Sequence, residues 1–386
     1  MHLPFFLMRK KKDIQNPNED IKSIKPINEK IIFCSGISGS ERKGYLSEVE
    51  EYSDHLGKKV KVYDLENYIK RISEERDFTF SKDRFLNRTP DYRAAIRAAA
   101  FEVMLKDIDK DINKNSTANF TAIVTSHACF YWKHHFSLAF DFSYFDALNP
   151  DIYLTVIHSV IKIKANLNCT SKVKHTDAEL LNWQDAERLT TEVMAQSQKK
   201  PFYILARNQP PSTLYDLIFN QDKMKVYLSY PMSFADDETL IKVQNFKKRL
   251  SRYAVVFDPG SIEEIKDIEN VEADAKEIVE MQTVSRDFRL IEQSDRIVVY
   301  FPGVIHSSGV VSEYCHASRI EKEVMVVFPS ERISPFTSYH ADSIFKSEDK
   351  FFEFLEKEEK KLKNEQKNEE KRKKEEEESK NRNIIK

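Results

Sequence analysis

At 386 residues the chain has room for two to three domains of ~150 residues, each able to bury most of its apolar surface, so a small stapled scaffold is excluded. Hydrophobic residues make up 40%, charged residues 32%, and the formal net charge is -2, which lacks the basic excess of a dedicated nucleic-acid binder; no specific nucleic-acid partner is expected. The strongest apolar start, His2 to Met8, falls far short of the ~20 residues that span a bilayer and runs directly into Arg9-Lys10-Lys11-Lys12, so neither a membrane partner nor a secretory signal is read. Cys34, Cys129, Cys169 and Cys315 are far apart and form no CxxC pair, which argues against a disulfide framework or a zinc site and for a reducing cytoplasm.

In chain order, 1–28 reads as a mobile segment. Over 29–207, β-rich runs at Lys30–Ser35, Lys59–Tyr63, Phe120–Ser126, Ile152–Ile157 and Pro201–Ala206 alternate with helical stretches, the pattern of a doubly wound parallel sheet. The clearest helix start is Thr89-Pro90-Asp91, a cap residue followed by proline in the first turn. The prolines of Asn208-Gln209-Pro210-Pro211-Ser212 read as a break, with 208–223 as linker. A second doubly wound unit follows over 224–355, with strands at Lys225–Tyr230, Ala254–Asp258, Arg296–Phe301 and Val324–Phe328 and an amphipathic helix carrying Leu240, Val243, Phe246 or Lys247, and Leu250. From 356 to 386 the chain is a tail rich in Lys and Glu, read as a solvated helix or disorder. The fold class is therefore α/β, two parallel-sheet domains and a charged tail.

Glycine is scarce, seven in 386 residues, so each cluster points to a backbone need. Gly36, Gly39 and Gly44 follow one buried strand; Gly303 and Gly309 follow another. Strand, glycine turn, then helix is where α/β proteins hold phosphate. Ile31-Ile32-Phe33-Cys34-Ser35-Gly36-Ile37-Ser38-Gly39-Ser40-Glu41-Arg42-Lys43 resembles the strand and phosphate loop of P-loop nucleotide kinases of the adenylate-kinase type, a resemblance covering roughly 29–207. It implies that Gly36, Gly39, Ser40, Arg42 and Lys43 bind a nucleotide, with ATP and Mg²⁺ as the group this domain would hold. The copy departs from the pattern at decisive places. Glu41 stands at the second glycine, Arg42 at the lysine, Lys43 at the hydroxyl, and Thr125 where an acid for the metal is usual. An acid facing polyphosphate is repulsive and lysine cannot ligate Mg²⁺. Three readings stay open: a degenerate kinase fold, an active kinase using Lys43 and Asp64, and an unrelated βα turn. His127 reads as a strand-end histidine satisfied by backbone.

The second cluster is denser. Arg286-Asp287 precedes Asp295 and the strand Arg296–Tyr300, and Ser307-Ser308-Gly309-Val310-Val311-Ser312-Glu313 opens the next helix. These residues resemble the nucleoside 2-deoxyribosyltransferase superfamily, nearest its branch of 2'-deoxynucleoside 5'-monophosphate N-hydrolases; the transferase branch would have Asp at Ser307. Val226-Tyr227-Leu228-Ser229-Tyr230-Pro231-Met232 looks like the superfamily's opening strand and turn. The chemistry suits the residue types. A carboxylate beneath an anomeric carbon can attack it or stabilise an oxocarbenium-like state, which assigns Glu313. Asp287 is its partner for orienting the sugar or protonating the leaving base. Ser307, Ser308 and the N–H groups near Gly309 offer a 5'-phosphate hydroxyls and a helix dipole. Tyr230 and Asp295 are further substrate-binding candidates, although Asp295 also reads as a strand-start cap and Glu313 as a dipole-complementing glutamate. Cys315 and His316, being adjacent, diverge on a helix and make no catalytic pair.

The expected function is cleavage of the base–sugar bond of a nucleoside 5'-monophosphate, with a nucleotide as partner and no metal or cofactor for this step. The resemblance implies self-assembly through the C-terminal domain. The rivals are a nucleotide kinase built on the first domain and a nucleotide-sensing module in which neither half turns over.

Overall fold

The computed structural model describes residues 29–75, 80–115, 120–170, 173–232, 236–262, 270–303, 307–329 and 333–384. The segment 1–28, expected to be mobile, lies outside them. The described chain divides into two compact units, one of 29–157 with 162–207 and one of 158–161 with 208–384. Both are α/β with parallel sheets.

The first unit runs β1 (Lys30–Ser35), α1 (Arg42–His55), β2 (Lys59–Asp64), α2 (Leu65–Glu74), α3 (Lys82–Leu86), α4 (Pro90–Lys114), β3 (Phe120–Thr125), β4 (Cys129–Trp132), β5 (His135–Leu138), α5 (Phe142–Leu148), β6 (Ile152–Ile157), α6 (Val160–Thr170), α7 (Asp177–Ser197) and β7 (Phe202–Ala206). Its five-stranded parallel sheet has the order β2-β3-β1-β6-β7. The inner strands β3 and β6 are buried at every position, which is why they read as continuous apolar runs. Edge strand β2 turns Lys59 and Lys61 away from the core, a charged edge that discourages further pairing. The stripe Ile96, Ala100, Met104, Ile108 and Ile112 of α4 completes the core, and that helix starts as read, with Thr89 capping the Tyr92 N–H ahead of Pro90.

The second unit continues with α8 (Pro211–Phe219), β8 (Met224–Ser229), α9 (Asp237–Leu250), β9 (Ala254–Phe257), α10 (Lys276–Glu292), β10 (Arg296–Tyr300), α11 (Ser308–Arg319), β11 (Glu323–Val327), α12 (Pro335–His340), β12 (Ser343–Phe345) and α13 (Glu348–Ile384). The sheet order is β12-β11-β10-β8-β9, all parallel. The stretch read as linker instead carries α8. Pro211 occupies its first turn, where a missing N–H costs nothing, and Leu214, Leu217 and Ile218 are buried. The charged tail is the continuation of α13, whose first turns bury Phe351, Phe352 and Leu355. Phe351 and Phe352 pack on Phe246, which stacks on Tyr300 at 4.1 Å between ring centroids. Among the described residues no helix is long and apolar enough to cross a membrane.

Candidate active site

In each sheet the order reverses direction beside the first strand, between β1 and β3 in one and between β8 and β10 in the other. Crevices form at the carboxyl ends of strands at such points.

In the second unit, period-two alternation along β8 sends Val226, Leu228 and Tyr230 into the core around Phe246, leaving Tyr227 and Ser229 on the opposite face. There α10 and α11 pack against β8. Glu313, in the second turn of α11, accepts the Tyr227 hydroxyl at 3.1 Å on Oε1 and the Ser229 hydroxyl at 2.5 Å on Oε2. Burial pushes the Glu313 carboxyl up to about 8 and the nearby charge of Asp287 adds to this, while the two hydroxyls work against it. Glu313 nonetheless keeps a minority of its surface open to solvent. It is no first-turn dipole residue. Asp287 comes from α10, with the Arg286 Nε 3.6 Å from its Oδ1, and both side chains are mostly buried. The α10–α11 contact is fixed by Phe288 stacked on His316 at 4.1 Å, which gives His316 a packing role.

Ser307 caps α11, accepting the Val310 N–H at 3.4 Å. Ser308 and Gly309 are exposed at the helix start. A Cβ at Gly309 would meet nothing closer than the Ser307 Oγ at 3.7 Å, so the protein itself does not require glycine there. Tyr230 is buried and donates to Asp258 at 3.0 Å. Asp258, which the sequence showed only as a strand end, also accepts the Lys247 ammonium at 2.5 Å, the Ser261 hydroxyl at 3.3 Å and the Gly260 N–H at 2.9 Å. Gly260 is needed here, because a Cβ would lie 2.3 Å from the Tyr230 hydroxyl.

Asp295 belongs elsewhere. It receives the Lys225 N–H at 2.8 Å and returns its own N–H to the Lys225 carbonyl, tying β10 to β8 at the amino end of the sheet. Glu313 contacts the carboxyl end of β8, ~13 Å away at 3.3 Å per residue, so Asp295 is a strand-start residue and not part of this site. Tyr227 and Ser229, the partners of Glu313, were not among the candidates; the polar alternation within Val226–Tyr230 was their only trace in the sequence.

In the first unit the glycine loop is real but spent on the protein. A Cβ at Gly36 would lie 2.8 Å from the Val156 carbonyl, and one at Gly39, where φ is +86°, 2.8 Å from that of Ile163. The Gly36 N–H goes to Glu187 Oε1 at 3.1 Å, and the Arg42 guanidinium closes back on the Gly36 carbonyl. Lys43 is clamped by Asp64 at 2.6 Å and Glu66 at 2.7 Å. Asp64 also caps α2 by accepting the Glu66 N–H at 3.1 Å, and Thr125 donates to the Cys34 carbonyl at 3.0 Å. Glu41 has left-handed backbone and directs its carboxylate to Asn166 and Arg207. Ser40 is fully buried. These residues do not fit ATP with Mg²⁺: both cations and the first loop N–H have protein partners, and no acid stands at Thr125.

Glu187, on α7 and fully buried, also accepts the N–H groups of Ala128 at 2.9 Å and Cys129 at 2.7 Å. Burial works against its ionisation, but His127 and these N–H groups outweigh it and hold the carboxyl below its ordinary value. The backbone donors persist whichever form His127 takes. His127 is pushed down by burial, against the opposing pull of Glu187. Its partners are side chains rather than backbone: Ser38 Oγ at 3.3 Å and Glu187 at 3.7 Å.

No protein-family model matches the chain, and no curated protein matches it. Among solved structures, a 2-deoxyribosyltransferase from Bacillus psychrosaccharolyticus, described as a biocatalyst for synthesis of antiviral and antitumoral nucleosides, is similar over 34% of this chain and 95% of that one, at 19% identity and a TM-score of 0.28.

Proposed function

We propose that the second unit cleaves the N-glycosidic bond of a nucleoside 5'-monophosphate. The observation that carries this reading is Glu313, a carboxyl at the carboxyl edge of the sheet, oriented through both oxygens by Tyr227 and Ser229 and accompanied by Asp287. Burial and the neighbouring Asp287 charge keep a proton on Glu313 up to about 8. In the substrate complex that proton passes to Asp287 and the charge to Glu313. Glu313 attacks C1' as the C1'–N bond breaks, and Asp287 protonates the departing base. Water then attacks C1', the ester bond to Glu313 breaks, and the proton from water returns to the carboxyl pair. Tyr227 and Ser229 hold the carboxylate in line and keep it from protonating too readily.

The phosphate end is assigned to the start of α11. Ser307 uses one lone pair on Val310 and retains its O–H; the exposed Ser308 hydroxyl and the unfilled first-turn N–H groups add donors at the positive end of the helix. The test is base release from a panel of nucleosides and their 5'-monophosphates, followed by chromatography. The reading expects release from at least one monophosphate, with kcat/KM well above that of its nucleoside, and near-complete loss in Glu313→Gln. No release from any member, or full turnover in that variant, removes it.

A further inference from the structure

The first unit holds a cleft of about 930 Å³ at the carboxyl edge of its sheet, large enough for a drug-sized ligand. One wall is a run of rings. His127 lies 5.1 Å from Phe130 and 5.9 Å from Trp183, and Tyr131 lies 6.4 Å from Trp183 and 5.8 Å from His175. Phe80 and Phe85, themselves 6.1 Å apart, also line it. Phe130, Tyr131 and Trp132 are carried by β4, whose hairpin with β5 turns through left-handed Lys133 and His134.

The charges around the cleft cancel. Arg42, Lys43, Lys82 and Arg84 are matched by Glu41, Asp64, Glu66 and Asp83, and Lys43 and Lys82 are already paired with Asp64 and Glu66. The Gly36 N–H that would start a phosphate cradle is held by the internal carboxylate of Glu187. Between ring wall and loop, the half-buried Ser38 and Ser81 hydroxyls line the cleft, while the Ser40 hydroxyl and the Arg42 Nε are enclosed beneath the loop. A polyphosphate would meet carboxylates and preoccupied cations. A flat ring with a polar edge would meet aromatic faces and the Ser38 and Ser81 hydroxyls.

We propose that this cleft binds an uncharged planar heteroaromatic ligand, a nucleobase or its nucleoside, independently of phosphate and Mg²⁺. Glu187 takes the place an anion would fill, and the aromatic wall supplies the affinity by stacking.

The chain has two tryptophans, Trp132 and Trp183, and both line this cleft, so tryptophan emission reports on it alone. The experiment titrates full-length Glu313→Gln protein, in which cleavage at the second unit cannot consume the probe, with adenine, cytosine and thymine, their nucleosides, Mg–ATP and tripolyphosphate. Equilibrium dialysis provides the second readout. The expected result is a saturable response to at least one base or nucleoside, unchanged by Mg²⁺, with Mg–ATP binding no tighter than adenosine and tripolyphosphate not binding. Phe130→Ala and Tyr131→Ala should each weaken binding roughly 5- to 100-fold, the range for loss of a base-stacking ring, with Tyr131→Leu as the milder variant should either fail to fold. Comparison of base with nucleoside decides whether the sugar is held. Magnesium-dependent binding of Mg–ATP or tripolyphosphate, or no saturable binding of any base or nucleoside, overturns the proposal. Neither result bears on base release by Glu313.

Discussion

Glu187 and Glu313 are the same side chain placed at the carboxyl edges of two parallel sheets, and their surroundings drive them in opposite directions. Glu187 is fully buried, yet three backbone N–H groups and His127 hold it below its ordinary range. Glu313 is raised to about 8 by its burial and by the nearby charge of Asp287, with only two hydroxyl donors set against them. Burial raises both carboxyls; the fixed donors and neighbouring charges set against or beside it decide the direction. The first carboxylate is a structural anion that fills its own loop. The second is poised to gain and lose charge, which is what a reacting carboxyl requires.

The largest expected effect is on catalysis. Glu313→Gln should lower base release by roughly 10³-fold or more, as loss of a nucleophile does, whereas Glu187→Gln should leave kcat for base release near the parent value in steady-state assays.

Stability should separate the two glutamates by sign. Glu187→Gln replaces an acceptor with an amide N–H facing a backbone N–H, at a cost of about 1–3 kcal/mol in denaturant unfolding. Its native carboxyl is held low, so the stability it contributes is present above its unfolded pKa and fades as pH falls. Glu313 is held high, so its favourable contribution is complete below its unfolded pKa, near 4.5, and is lost as pH rises through about 8. Glu313→Gln should thus grow more stable relative to the parent from pH 5 to pH 9, in thermal scans at matched ionic strength. A constant difference would contradict the raised carboxyl.

Much of this was legible in the sequence, and the misses have physical causes. Strand cores were found to within a residue because central parallel strands such as β3 and β6 are buried on both faces. The β4–β5 hairpin was missed because its turn uses Lys133 and His134 at positive φ, where Asn-Gly would have signalled it. Three-residue β12 is too short to show a period, and α8 was hidden because Pro210-Pro211 was read as stopping a helix when it starts one. Glu313 and Asp287 could be singled out by residue type and by the resemblance of the segments that carry them. Tyr227, Ser229 and Asp258 could not, since their partners lie 86, 84 and 28 residues away. Asp295 was legible only as an acid before a strand; which end of the sheet it occupied needed the register.

A smaller effect sharpens the contrast. Tyr227→Phe removes one donor to Glu313, a charge-assisted bond worth about 1.5–3 kcal/mol, so kcat/KM should drop about 10- to 100-fold. Because that bond lowers the Glu313 pKa, the fall of kcat/KM at alkaline pH, with its midpoint near 8 in the parent, should move to higher pH. An unchanged limb would leave Tyr227 with packing alone. Smallest is Gly309→Ala, which should leave Tm within about 2 °C, because the added methyl meets open space, while slowing monophosphates more than nucleosides.

The central claim is that Glu313 becomes covalently bonded to the sugar. A 2'-fluoroarabino nucleoside 5'-monophosphate carrying the preferred base destabilises the oxocarbenium-like state and slows turnover of the glycosyl ester. Mass spectrometry of the quenched protein should then show one sugar-phosphate adduct, mapping to the peptide containing Glu313 and absent in Glu313→Gln. Base release with no adduct, or an adduct on another residue, would contradict the account.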